Sequence, residues 1–526
     1  MPVMTYNSLF FVTFFTAFLI IYLLMPHPVM RQIVILAGNV FFYKFAGGLN
    51  PMMVLIASAF LVYLITLRMD SIYRQFEREA EGLTRKEQIP LLAAYKKRTR
   101  IYLTLGVIVL IGVLVYVKVG RYVGLEEVAH LKDLSFAKII VPLGISYYTF
   151  SAVGYMADVY WRKAKAERNL LTLIACMTYF PTIVQGPIGR YDRVMQQFHE
   201  LPGFRYERVC HGLQRMWWGF FKKAVIADRI TPVTSMIFAD IFSYAGVEVF
   251  LAVIGNVIAI YMDFSGCMDI VIGAAETMGV TLDENFRQPF FSKSAAEFWR
   301  RWHITLGAWA KDYVYKPIAM NPRFMKLTGK IRKSFGAKAA NVFASAVPLL
   351  IVWLLTGLWH GTGKNYIVWG LYWGTVITLS RIFEKELKAI PKKLNMKTES
   401  FGYGFFQMLR TCILFAIGRM ITACPAGRSV LLVLGQMFSE PRFGKLFDGS
   451  LYTYGINEKN MHVVIIGIAI VWFVDILSSK FDVRAKLDEQ PLVFRWVLYY
   501  LLVMSVIIFG IYGNAYDATA FVYGGF

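Results

Sequence analysis

Apolar runs of about 20 residues, the length that crosses a bilayer as a helix, recur from one end of this chain to the other. They lie near 7–25, 30–46, 50–68, 101–118, 138–160, 170–186, 247–263, 341–358, 364–380, 402–420, 460–478 and 494–513. From 187 to 340 the pattern is less regular, with short apolar pieces mixed among Pro, Gly and charge. Broken segments of that kind are tolerated at membrane depth only when buried in protein or facing a water-filled cavity, so the middle third is the expected home of a site. No repeat of fixed period and no low-complexity tract is present, which weakens a reading built on inverted repeats. The expected fold is therefore all-α and polytopic, with roughly 11–13 transmembrane helices plus re-entrant segments. The segments 187–246 and 281–321 are open between spanning and re-entrant.

Composition sharpens the class. Of 526 residues 57% are hydrophobic and only 17% charged, where a soluble domain carries about a quarter charged. Aromatics reach 16%, a bias suited to lipid-facing and interfacial positions. The net charge of +22 sits between the apolar runs rather than along a nucleic-acid-binding face. It suggests cytoplasmic loops beside anionic lipids or acidic partners. Cys176, Cys210, Cys267, Cys412 and Cys424 are scattered and contain no CxxC pair, so neither a disulfide framework nor a zinc site is indicated. Asn7 to Met25 has no basic stretch before it and no small-residue cleavage site after it, and reads as a retained first helix.

Positive charge sets the expected orientation. The loop from Arg68 to Arg100 holds nine Lys/Arg, and Arg162-Lys163-Ala164-Lys165 forms another basic loop. Arg323 to Lys338 carries six basic residues and no acidic one, and Arg381 to Lys397 adds six more. Placing all four inside requires the N-terminus outside and a near-neutral outer loop around Gly124. The last dozen residues also fall outside. Both termini are therefore expected on the extracytoplasmic side.

Two of the seven histidines sit in unusual company. His360 lies in Trp359-His360-Gly361-Thr362-Gly363 at the end of an apolar run, and His303 follows Phe298-Trp299-Arg300-Arg301-Trp302 in the irregular region. Ionisable groups in membrane segments are costly and usually face a cavity or a partner. A neutral imidazole can take a proton from a hydroxyl at physiological pH. The glycines after His360 permit close approach of a ligand or another backbone. A plain interhelical hydrogen bond is the competing account, about as strong for His360 and stronger for His303. His27, His130 and His462 read as interfacial, and His199 and His211 as solvated loop residues. Asp263, Asp269, Glu276, Asp283 and Glu284 cluster ahead of Arg287, Arg300 and Arg301, and structural pairing is the first expectation for them. There is no G-x-S-x-G elbow, no Walker A loop and no G-x-G-x-x-G fingerprint.

The blocks themselves resemble those of the membrane-bound O-acyltransferases. Ile260-Tyr261-Met262-Asp263-Phe264-Ser265-Gly266-Cys267-Met268-Asp269-Ile270 is similar to a signature of that family. Asn285-Phe286-Arg287-Gln288-Pro289-Phe290 and Glu297 to Leu306 look like the next block. Pro142 to Phe150 and Phe180 to Ile188 match upstream, and Gly357-Leu358-Trp359-His360-Gly361 resembles the block with the family's invariant histidine. Length and the additional C-terminal spans resemble the alginate-acetylating type more than the shorter D-alanyl type. Lys316 to Pro322 departs from the glycine-rich, arginine-ended stretch of the pattern.

The resemblance implies a helical bundle around a central tunnel, with a core over 1–420 and a C-terminal extension over 421–526 that adds two spans and an external tail. It implies His360 as general base and His303 as a second catalytic candidate, lining the tunnel or steadying a pantetheine arm. Asp263, Ser265, Asp269, Trp299, Arg301, Trp302 and Trp359 become candidate tunnel or substrate-binding residues. No bound cofactor is implied; the acyl donor is acetyl-CoA or an acyl carrier protein thioester from the cytoplasmic side, and basic inner loops suit such anions. The tail Phe521-Val522-Tyr523-Gly524-Gly525-Phe526 resembles the terminal motif of bacterial acyl relays, making Tyr523 a candidate acceptor that hands the group to an extracytoplasmic transferase and then to an envelope polysaccharide. An aromatic membrane anchor is the alternative for the tail. The rival activities are D-alanyl transfer to teichoic acid from a carrier protein, glycan or lipid transport, and a noncatalytic scaffold.

Overall fold

The computed structural model describes residues 4–123, 142–361, 363–424 and 430–511. Tyr523 and the Gly124 loop lie outside the described residues. The chain forms two compact units, one from Met1–Met216 with Val271–Asp283, the other from Trp217–Ile270 with Glu284–Phe526. Among the described residues the regular structure is helical, and eight helices are long and apolar enough to cross a membrane. This is an all-α polytopic membrane protein.

The first unit opens with α1 (Leu9–Leu24), α2 (Pro28–Ala46), α3 (Leu49–Glu79) and α4 (Arg85–Val123). Ser8 caps α1 by accepting from the Phe11 amide, and Pro28 opens α2, where its missing N–H costs nothing. The third and fourth helices run beyond their apolar stretches into the charged connection, so the basic loop is largely helix rather than coil. α5 (Ile145–Tyr160), α6 (Leu170–Met177), α7 (Phe180–Ile183), α8 (Tyr191–His199) and α9 (Tyr206–Phe220) follow, the last running on into the second unit.

The apolar run 170–186 is broken, and the break has named partners. The Phe180 amide donates to Asn39 Oδ1 at 2.9 Å, while the Tyr6 hydroxyl donates to the Phe180 and Pro181 carbonyls at 2.7 and 3.0 Å. Such bonds replace the helical ones that backbone in a dry interior needs. Aromatic packing closes the same place: Phe180 meets Phe18 edge-on at 5.0 Å, and Tyr6 stacks on Phe42 at 5.6 Å.

In the second unit, α9 passes into a π-helix over Phe221–Ala227 and then into α10 (Asp228–Ala239). α11 (Val247–Thr277) carries its turns up to Ile270 in this unit and the remainder in the first. After the short α12 (Ala295–Arg301), α13 (Ile304–Ala310) and α14 (Lys316–Ala319) come two helices, the first of which ends in His360. These are α15 (Pro322–His360), interrupted at Gly336 with φ +85°, and α16 (Lys364–Ile382). The remaining helices are α17 (Glu384–Lys393), α18 (Phe401–Ala423), α19 (Val430–Ser439), α20 (Glu458–Ser478), α21 (Val483–Asp488) and α22 (Leu492–Phe509).

The eight long apolar helices compare with the eleven to thirteen expected. α1 has 16 residues, about 24 Å of rise. The run 170–186 is split, 138–160 is described as helix only from Ile145, and α16 is 19 residues long but less apolar than the others.

Candidate active site

His303 is placed by a short strap rather than by a long helix. Residues 285–287 pair with 301–304: the Arg287 amide donates to the Arg301 carbonyl at 2.9 Å, and the Ile304 amide to the Asn285 carbonyl at 3.1 Å. Phe286 and Trp302 form an antiparallel bridge between those bonds. His303 occupies the cap of α13 in the left-handed region, φ +50° and ψ +49°. A non-glycine residue held there costs on the order of 1–3 kcal/mol and persists only where its surroundings over-determine it.

His360 ends α15, and the hairpin of α15 and α16 presents it. A side chain at Gly370 would meet the Trp353 carbonyl at 2.5 Å, and one at Gly357 the Tyr366 carbonyl at 2.4 Å. The two helices thus approach to backbone contact, as small residues allow in lipid. Gly361 lies under the Tyr366 ring, where a Cβ would come within 2.3 Å. The close approach expected of the glycine after His360 is made by this aromatic ring.

The two imidazoles share one enclosure. Their ring centroids are 6.5 Å apart, and both are buried. His303 meets Phe264 edge-on at 4.9 Å and Trp359 at 6.1 Å, while Trp369 stands 5.1 Å from His360. Trp299 packs against Trp353 at 4.7 Å and Trp373 at 5.1 Å, and Trp302 against Phe286 at 4.9 Å and Phe415 at 4.8 Å. Six of the twelve tryptophans in the chain surround the pair, which makes the enclosure apolar enough to exclude bulk water. Nε2 of His303 and the indole N–H groups of Trp299 and Trp373 are buried without a hydrogen-bond partner in the protein. Unsatisfied polar atoms in so dry a setting are uncommon and call for a functional account.

The structure therefore brings His303, His360, Trp299, Trp302 and Trp359 together. Arg301 points elsewhere, into an i,i+4 ion pair with Glu297 at 2.7 Å on a half-exposed face. Asp263, Ser265 and Asp269 occupy a different side of α11, against two lysines of the π-helix. Lys223 Nζ lies 2.6 Å from Asp263 and 2.7 Å from Asp228. Lys222 pairs with Asp269 and donates to Ser265 Oγ at 3.0 Å. Nearby, the Tyr261 hydroxyl donates to Asp475 of α20 at 2.9 Å. The π-helix has its own carbonyls covered, Ala224 accepting from the Ile511 amide at 3.2 Å and Val225 from Arg229 at 3.0 Å.

Lys222 and Lys223 were not singled out by sequence reasoning, although two adjacent lysines in Trp217-Trp218-Gly219-Phe220-Phe221-Lys222-Lys223-Ala224-Val225-Ile226 are the sign of intramembrane charge that should have raised them. Among the described residues no group of three or more His, Cys, Asp or Glu is arranged to hold a metal ion.

Comparison with known proteins covers the stretch of chain that holds both histidines. Residues 162–419, which contain both, match the family described as MBOAT, membrane-bound O-acyltransferase family. The chain is similar to that family over those residues, just under half of its length. It is similar to a probable alginate O-acetylase of Azotobacter vinelandii, 32% identical over 299 residues, which are 56% of each chain. It is also similar to a peptidoglycan O-acetyltransferase of Helicobacter pylori, 25% identical over 70% of this chain and 68% of that one. With a teichoic acid D-alanyltransferase of Bacillus subtilis it shares 30% identity over 46% of this chain and 60% of that one. The matched stretches span 56% and 60% of the alginate O-acetylases of Azotobacter vinelandii and Pseudomonas syringae, under two thirds of those relatives' length.

Proposed function

We propose that the chain is a membrane-bound O-acyltransferase and moves an acetyl-like group from a cytoplasmic thioester to a hydroxyl of a cell-envelope polysaccharide. The observation that carries this reading is the buried imidazole pair, 6.5 Å apart inside a tryptophan-lined enclosure. His360 takes the acceptor's hydroxyl proton as that oxygen attacks the thioester carbonyl. The C–O bond forms, the C–S bond breaks, and the proton passes from His360 to the departing thiolate. Exclusion of water protects the thioester from hydrolysis, which would waste it without needing a second substrate. His303 and the tryptophans line the path of the thioester arm, and the helices around them form the tunnel.

Similarity to alginate O-acetylases supports an acetyl group as the one moved; in this reading the donor is acetyl-CoA, delivered at the basic inner face, with both chain termini outside. Similarity to a teichoic acid D-alanyltransferase supports a second reading, in which D-alanine is the group moved; its donor there is a loaded carrier protein. In either case Tyr523 serves as the relay hydroxyl that hands the group to an extracytoplasmic transferase.

The test is the intact mass of the C-terminal peptide and of the acceptor polymer after supply of acetyl-CoA or of a D-alanyl-loaded carrier, in wild type and in His360→Ala. Acylated Tyr523 that is lost in the variant supports both the base and the relay. Acylated polymer beside an unmodified tail removes the relay and keeps the transferase. No acyl product from either donor removes the proposal in favour of transport or scaffolding.

A further inference from the structure

Asn285 holds His303 in one proton arrangement. The Thr305 amide donates to Asn285 Oδ1 at 3.1 Å and the Thr305 hydroxyl donates to the same atom at 2.9 Å. A backbone N–H can only donate, so the atom it meets is the amide oxygen and not the nitrogen. The Asn285 amide nitrogen points the other way, to Met268 Sδ at 3.2 Å. That same Oδ1 lies 3.3 Å from His303 Nδ1. An oxygen accepting there requires Nδ1 to carry the hydrogen, and in a neutral imidazole the lone pair is then on Nε2. Nε2 is the atom that is buried and without a protein partner. Asn285 is itself fully buried, as are His303 and Thr305, so water does not compete for these bonds.

We propose that Asn285 is a positioning residue: it fixes His303 as the Nδ1–H tautomer, so that Nε2 serves only as an acceptor for an O–H or N–H of the bound substrates. The inference deepens the acyl-transfer reading and rests on it for the substrate. It gives the two histidines different work. His303 cannot donate a hydrogen bond to a thioester carbonyl through Nε2, and instead it orients a donor-bearing group beside His360. Two sources fit that chemistry, the acceptor's hydroxyl and the amide N–H of a pantetheine-type acyl donor.

The experiment reads the tautomer first and the kinetics second. With 15N-labelled histidine in the purified full-length protein, the His303 signals are assigned by their loss in His303→Gln. The expected result is a protonated Nδ1 and an unprotonated Nε2 in wild type and in Asn285→Asp, whose carboxylate oxygen still accepts, with that pattern lost in Asn285→Leu. A proton on Nε2 in wild type overturns the proposal, as does an unchanged tautomer in Asn285→Leu. This reading needs no substrate, so it stands or falls apart from the acyl-transfer assignment.

In turnover, Asn285→Leu should raise one KM by on the order of tenfold, the worth of about one hydrogen bond in a dry site, and Asn285→Asp should restore most of it. A raised KM for the thioester donor identifies its amide as the partner, and a raised KM for the acceptor identifies the hydroxyl. A fall in kcat with both KM values unchanged overturns the acceptor role.

Discussion

Two buried polar centres lie on different sides of α11, and they are built on opposite plans. On one side Asp263 and Asp269 meet Lys223 and Lys222, with Asp228 completing the set. Each charge there is held by an opposite charge or a hydroxyl within the protein. On the other side Phe264 meets His303, in a chamber of indole and phenyl rings that holds an imidazole lone pair with no partner. Charges removed from water need partners to persist at all, so the first centre is consumed in holding helices together. A neutral imidazole can be left unsatisfied at far lower cost. It is the second centre that retains capacity to act on something else.

The strongest break of this contrast is His360→Ala. Loss of a general base should lower acyl transfer by about 10²–10⁴-fold, while the thermal midpoint of the detergent-solubilised protein stays close to wild type. A large drop in midpoint with full specific activity would reassign His360 to packing. Lys223→Met should behave in the reverse way. It leaves Asp263 and Asp228 buried without their counter-charge, a destabilisation of about 3–5 kcal/mol, read as a lowered thermal midpoint, and Lys223→Met with Asp263→Leu should recover part of it. Loss of activity at an unchanged midpoint would make the lysine a participant in the chemistry and end the distinction.

A smaller effect tests how the hairpin delivers His360. Gly370→Val places a side chain against the Trp353 carbonyl and should cost about 1–3 kcal/mol, with activity falling as the two helices separate. Normal activity would mean that the approach does not govern the position of His360. Smallest is an ion pair at the first turn of α11, where Lys445 Nζ lies 2.7 Å from Glu248. The hydrogen bond to Glu248 raises the Lys445 pKa above its ordinary 10.5. A raised lysine contributes stability that is complete below the unfolded value and is lost as pH climbs through the folded one. Hydrogen exchange over 440–454 should therefore quicken only in that alkaline window beyond its intrinsic pH dependence, and Lys445→Met should abolish the excess.

Much of this was legible in the chain because hydropathy has a length scale. The runs at 30–46, 50–68, 101–118, 402–420 and 460–478 became helices, since about 20 apolar residues have few other ways to satisfy their backbone in lipid. His303, His360 and the tryptophans beside them stood out because polar groups among aromatics are rare. What the chain hid was pairing across distance. Lys222 finds Ser265 43 residues away, and the break after Met177 is stabilised by Tyr6, 174 residues before Phe180. No local pattern encodes such partners. Asn285 was visible as part of a block, yet its three bonds through Oδ1 depend on a strap whose conformation only the fold defines.

The π-helix at Phe221–Ala227 has a consequence for how this segment can vary. A π turn is an α-helix carrying one surplus residue, and deleting Ala224 would let ordinary helical winding resume. The wider π winding takes up the surplus residue in place, so everything beyond it would keep nearly its present facing. Lys223 and Asp228, five positions apart across the π turn, would become four apart, the spacing that faces in an α-helix. An added residue would find no such slack and would turn α10 away from its present packing. In an insertion–deletion scan of the gene, this short stretch should behave as a place where a codon is lost with less damage than one is gained.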